Sequence, residues 1–118
     1  SPYGEGRFAL SGPPVYLPAK LAVCFALVFH ELATNAAKYG ALSSAAGRLE
    51  IDWATTDCVL TLNWQERGGP VVEPRTKSGF GTKLVNSALA GFDGRSQMDF
   101  RPDGLHCTLQ CRIPPPEP

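Results

Sequence analysis

Residues 30–43 read HELATNAAKYGALS. An apolar run, LAVCFALVF, precedes them at residues 21–29. Pro18 stands in front of it, where a fixed φ and a missing N–H suit the first turn of a helix. Gly40 is placed to stop that helix. The pattern predicts one long helix from Pro18 to Tyr39, about 33 Å at 1.5 Å per residue. Nine apolar residues fall short of the ~20 that span a bilayer, so the run reads as a buried core helix. Glu31, Asn35 and Lys38 recur at i, i+4 and i+7 and share one helix face. That face carries a carboxylate, an amide oxygen and an ammonium. Oxygen ligands suit a hydrated Mg²⁺, a cation suits phosphate, and a carboxylate can orient a phosphoryl acceptor. Glu and Lys alone would describe the solvated side of any amphipathic helix. Asn35 tells against that reading, because Asn is a poor residue inside a helix and needs a reason to be there.

Alternating runs lie on both sides of this segment. Upstream, residues 7–11 and 15–17 are short apolar segments split by Gly12-Pro13-Pro14 and read as a small strand pair. Downstream, Leu49, Ile51 and Trp53 share a face opposite Glu50 and Asp52. Cys58, Leu60, Leu62 and Trp64 repeat the pattern after a turn at Thr56-Asp57, which predicts a hairpin with one buried face. Residues 67–78, RGGPVVEPRTKS, have no period and read as a loop. A second helix is expected from Gly79 to Ala90, ended by Gly91. A last hairpin turns at Pro102-Asp103-Gly104, with Leu105, Cys107, Leu109, Cys111 and Ile113 on one face and His106, Thr108, Gln110 and Arg112 on the other. The order ββ-α-ββ-α-ββ predicts an α+β two-layer sandwich: a mixed, mainly antiparallel sheet with helices on one face. Residues 1–113 read as one domain and residues 114–118, PPPEP, as a tail or linker.

Two further features carry chemistry. Arg67-Gly68-Gly69-Pro70 and Gly79-Phe80-Gly81-Thr82 are glycine-rich, and the second opens a helix, where backbone N–H groups and the absence of side chains favour an anion. A Gly-x-Gly by itself is ordinary loop punctuation. Glu66, at a strand end, is suited to accept a hydrogen bond from an exocyclic amine, which would favour adenine over guanine, although an exposed acid at a strand end is the commoner case.

Composition narrows the alternatives. With 118 residues, 43% hydrophobic and 19% charged, the chain is long and apolar enough to close a core. Eleven basic residues balance eleven acidic ones, which argues against a nucleic-acid binder that depends on many phosphate contacts. Cys24, Cys58, Cys107 and Cys111 form no CxxC and read as small buried hydrophobes in a reducing compartment, with Cys107 and Cys111 the only pair spaced for anything else. The opening SPYGEGRF has no signal-peptide pattern. It begins without Met and inside what reads as a strand, as a piece of a larger protein would.

The segments in this order resemble the ATP-binding catalytic domain of sensor histidine kinases, within the gyrase, heat-shock-protein-90, histidine-kinase and mismatch-repair ATPase superfamily. The segment around Asn35 resembles its N box, Glu66-Arg67-Gly68 its first glycine box, and Gly79-Phe80-Gly81-Thr82-Lys83-Leu84 its second. His30 together with Trp64-Gln65-Glu66 is similar to the HWE subgroup, named for an N-box His and a Trp-x-Glu motif. The resemblance covers roughly residues 8–114. It implies a Bergerat-type ATP-binding fold, with ATP and Mg²⁺ as cofactors. Asn35 would coordinate the Mg²⁺, and Lys38 and Tyr39 would lie near the phosphates. Glu31 would position or deprotonate the attacking group. Glu66 stands where the superfamily has the Asp that binds the adenine amine. Gly68, Gly79, Phe80, Gly81, Thr82 and Leu84 belong to the boxes that line the nucleotide. His30 is assigned to the catalytic site, where buttressing Glu31 is as open a role as a chemical one.

The chain also departs from the pattern. Only 12 residues separate Glu66 from Gly79, so a short lid and weak nucleotide retention are expected. The superfamily often has a Thr close to the adenine-binding acid; here the strand reads His106-Cys107-Thr108, and Thr108 is assigned to the site with Cys107 as the other choice. Neither His30 nor His106 is placed as a phosphoacceptor. The implied activity is therefore transfer of the ATP γ-phosphoryl group to a histidine on a separate dimerisation domain of the same protein, followed by a response regulator. No partnership with nucleic acid or membrane is expected of this domain, and its implied location is the cytoplasm. A sigma-factor-regulating serine kinase and a degenerate docking scaffold are the competing readings. His30 and the Trp-x-Glu motif weigh against the first, and the intact site residues against the second.

Overall fold

The computed structural model describes residues 6–70 and 80–115, with side chains described from Lys83 onward in the second helix. Residues 30–38 complete the long helix the periodicity predicts. Helix α1, Ala19–Lys38, begins one residue after Pro18 and buries Leu21, Phe25, Val28, Leu32 and Ala36, a stripe at spacings of three and four. By length and composition α1 could cross a membrane, but that stripe is in the core of this domain. Tyr39 caps its C-terminus, and the backbone N–H of Gly40 donates to the carbonyls of Asn35 and Ala36 before the chain turns extended.

Strands β1 (Phe8–Ser11), β2 (Arg48–Thr56), β3 (Val59–Arg67), β4 (Arg95–Arg101) and β5 (Gly104–Arg112) form one sheet in the order β1-β2-β3-β5-β4. Among the described residues, only the β1–β2 pairing is parallel. Helix α2 spans Phe80–Leu89. The core lies between α1, α2 and one face of the sheet, where Leu60, Leu62 and Trp64 of β3 and Leu105, Cys107, Leu109 and Cys111 of β5 meet the α1 stripe and Val85 and Leu89 of α2. The expected α+β two-layer arrangement is therefore present. Its chain order is β-α-ββ-α-ββ.

Two expectations need correction. Residues 15–17 form no strand: Pro14 and Pro18, which lack the N–H a ladder needs, flank them on both sides, and the chain just ahead of them is held through Trp53. Its indole N–H donates to the Pro13 carbonyl at 2.7 Å, and its ring fills the space a Cβ on Gly12 would need. The β2–β3 turn falls one residue later than expected. Asp57 and Cys58 occupy it with φ of 51° and 63°, which leaves Cys58 exposed rather than buried. The other cysteines are free as well: Cys107 and Cys111 are buried and Cys24 is half-buried.

Candidate active site

The last two turns of α1 and the end of β3 converge on Gly40 and Ala41. On α1, the Asn35 side-chain N–H donates to a Glu31 carboxylate oxygen at 3.0 Å, and both residues are half-buried. A carboxylate only accepts, so the Asn35 amide nitrogen is engaged and its carbonyl oxygen is the atom it can offer to a cation. Lys38, one turn further on, is exposed, as is Tyr39. His30 is exposed and makes no hydrogen bond to Glu31 among the described residues. Asn35 is the group that orients Glu31.

Alternation along β3 puts Leu60, Leu62, Trp64 and Glu66 on the core side. Glu66 is the buried charged residue among the described residues, 2% exposed. Burying a carboxylate costs far more than burying an apolar group unless donors meet it. Two do: the Ala41 backbone N–H at 3.0 Å to Oε1 and the Trp64 indole N–H at 2.8 Å to Oε2. Because Ala41 follows directly on α1, this contact ties the carboxylate to the helix that carries Glu31 and Asn35.

Close backbone approach surrounds Glu66. A Cβ on Gly40 would overlap Glu66 Oε1, and one on Gly104 would overlap the Glu66 carbonyl. Gly69 packs on the backbone of Gly40 and Ala41, and Gly47 on that of Ala41. Gly68 has φ +75° and lies against the Ala46 carbonyl, a conformation that favours glycine. Arg7 holds the adjoining loop, its guanidinium donating to the carbonyls of Gly47 and Ser44.

Thr108 is not in this site. It lies on the opposite, open face of the sheet, where its hydroxyl donates to Asn63 Oδ1 at 3.2 Å. Cys107 pairs across from Trp64 and occupies the core side. Burial, and next the Glu66 charge, push its thiol from 9.0 up to about 12, so it stays protonated. His106 shares the open face with Gln65 and Asp99, its strand partners, and lies on the other side of the sheet from the Glu66 side chain. Gly79 lies outside the described residues. Phe80, Gly81 and Thr82 form the first turn of α2, and Leu84 is half-buried on the same helix. No group of three or more His, Cys, Asp or Glu side chains suited to a metal ion occurs among the described residues. An ion held mainly by phosphate and water needs no such group, and the Asn35 side-chain oxygen is a candidate protein ligand for one. Sequence reading missed the Ala41 N–H, Gly40 and the Trp64 N–H as parts of the site. The two-residue spacing of Trp64 and Glu66 was the available signal for the last.

No family model matches the chain. Among individual proteins, it is 41% identical over 114 residues to blue-light-activated histidine kinase 1 of Erythrobacter litoralis, covering 94% of this chain and 32% of that protein. It is 38% identical over 104 residues to a blue-light-activated histidine kinase of Brucella anthropi, covering 84% of this chain and 21% of that protein. The chain thus spans a fifth to a third of the length of these relatives. Among solved structures, the histidine kinase domain of an Erythrobacter litoralis blue-light activated kinase superposes with TM-score 0.72 at 16% identity, over 93% of this chain and 54% of that one. The catalytic domain of histidine kinase ThkA superposes with TM-score 0.68 at 14% identity, over 93% of this chain and 81% of that one. By sequence the chain is similar to a part of these blue-light-activated histidine kinases, and its fold is that of histidine kinase catalytic domains.

Proposed function

We propose that this domain binds Mg-ATP in the cleft between α1 and the end of β3 and passes the γ-phosphoryl group to a histidine on a helical domain of the same protein. A response regulator then takes the group onward in a two-component pathway, in the cytoplasm, where ATP is available. The observation that carries this reading is the joining of the Glu31–Asn35 pair to the buried Glu66 through Gly40 and Ala41. One end of the cleft has an acceptor for a base, and the other has groups for phosphates and for an incoming nucleophile.

Each residue has a separable task. Glu66 accepts the adenine amino group. Asn35 offers its amide oxygen to Mg²⁺, which when bound neutralises triphosphate charge. Lys38 adds a positive charge to the same helix face. Glu31, held by Asn35, orients the acceptor imidazole or takes its proton as phosphoryl transfer proceeds. Asn35→Ala removes the metal ligand without touching the core. Even outer-shell changes at metal sites cost about 10–100-fold in affinity, so Mg-ATP affinity should fall at least about tenfold by calorimetry while the fold, read by circular dichroism, is retained. Unchanged Mg-ATP affinity would remove Asn35 from the metal site.

A further inference from the structure

A glutamate on a strand end has three side-chain torsions, and a bound base meets only one setting of them. Glu66 is fixed from two directions. The Ala41 N–H holds Oε1 and the Trp64 indole N–H holds Oε2, while Gly40 leaves no space for a side chain beside Oε1. Trp64 is itself firmly placed: it is 2% exposed, and its ring stacks on Phe29 with centroids 6.2 Å apart and planes inclined by 21°. An indole N–H only donates, and a carboxylate oxygen can accept more than one hydrogen bond, so this contact fixes Oε2 while lone pairs remain for a ligand N–H. We infer that Trp64 is a positioning residue for base recognition: its indole N–H sets the Glu66 carboxylate in the orientation that accepts the 6-amino group of adenine, and Gly40 preserves the space for that orientation. This rests on the reading of Glu66 as the adenine acceptor. Phenylalanine at position 64 would fill the same stack but leave Oε2 without its donor, free to turn.

The test compares Mg-ATP with the Mg-5′-triphosphate of purine riboside, which lacks the 6-amino group, by calorimetry on this chain. The parent should prefer ATP by about tenfold or more, and Glu66→Ala should abolish the preference. Trp64→Phe should reduce it to within about twofold while leaving affinity for the analogue unchanged. Gly40→Ala, with the indole intact, should do the same by displacing the carboxylate. A purely structural role for Trp64 would weaken both nucleotides in parallel and keep their ratio, which overturns the inference. A preference lost in Glu66→Ala but kept in Trp64→Phe overturns the positioning role alone and leaves the adenine reading standing. No preference in the parent overturns both. A measurement on the unaltered chain guards against a variant that does not fold: the Trp64 indole N–H resonance should move on binding Mg-ATP and stay within its unliganded position on binding the analogue. An equal response to the two overturns the inference.

Discussion

Glu31 and Glu66 are carboxylates held in opposite ways. Glu66 is buried and met by two N–H donors, and hydrogen bonds to a charged group contribute roughly 1.5–3 kcal/mol each. Glu31 is half-buried and held by one amide, which leaves it able to meet an incoming group. Binding and chemistry should therefore separate at position 31. Glu31→Gln keeps an oxygen for Asn35 to donate to, so Mg-ATP affinity should stay within about threefold of the parent. Phosphoryl transfer to the acceptor domain, measured with γ-labelled ATP in the full-length protein, should fall about 10²–10⁴-fold. Transfer at the parental rate would remove Glu31 from the chemistry. The residue scale also shows where sequence reading succeeded and failed. The helical spacing of Glu31 and Asn35 placed them together correctly. Thr108 was assigned by chemical type, although the alternation of its own strand, with His106, Thr108 and Gln110 on the polar side, already placed Cys107 inside.

At the scale of elements, α1 and the two hairpins were legible because their periodicities run over many residues and depend only on local geometry. The pairing of β1 was not. It lies parallel to β2, across a sequence separation of about 40 residues, with Phe8 opposite Leu49, and no local pattern encodes such a partner. Nor did the alternation of residues 15–17 reveal that Trp53 would hold the neighbouring Pro13. The β2–β3 turn gives a prediction at this scale. Both its residues are left-handed, and Cys58 has a Cβ in that conformation, at a cost of roughly 1–2 kcal/mol. Asp-Gly is the sequence such turns favour. Cys58→Gly should stabilise the domain by about 1 kcal/mol, raising its thermal midpoint by several degrees. A lowered midpoint would show that the turn does not carry this strain.

For the molecule as a whole, buried thiols set a limit on alkaline stability. Burial, with the Glu66 charge as a lesser cause, pushes Cys107 up to about 12. Burial, with Cys24 as the lesser cause, pushes Cys111 up to about 11. Both start from 9.0. Above pH 9 the unfolded chain has released these protons while the folded chain keeps them, so unfolding is favoured as pH rises. Their contribution is fully present below pH 9. It declines toward pH 11 for Cys111 and pH 12 for Cys107, by about 1.4 kcal/mol per pH unit for each thiol. Urea denaturation between pH 8.5 and 10.5 should show this decline, and a Cys107→Ala/Cys111→Ala variant should show a shallower one. Parallel profiles would mean that the thiols do not drive it.

The β2–β3 turn also makes a natural attachment point for an optical reporter. Cys58 is the exposed thiol of the four, while Cys107 and Cys111 are shielded. It sits at the opposite end of β3 from Glu66, eight residues along an extended strand, or about 26 Å at 3.3 Å per residue. A maleimide dye on Cys58 would stand outside the cleft yet within energy-transfer range of a fluorescent nucleotide bound beside Glu66. One strand thereby serves as a built-in ruler, and occupancy of the cleft becomes readable in real time without altering any residue that touches the ligand.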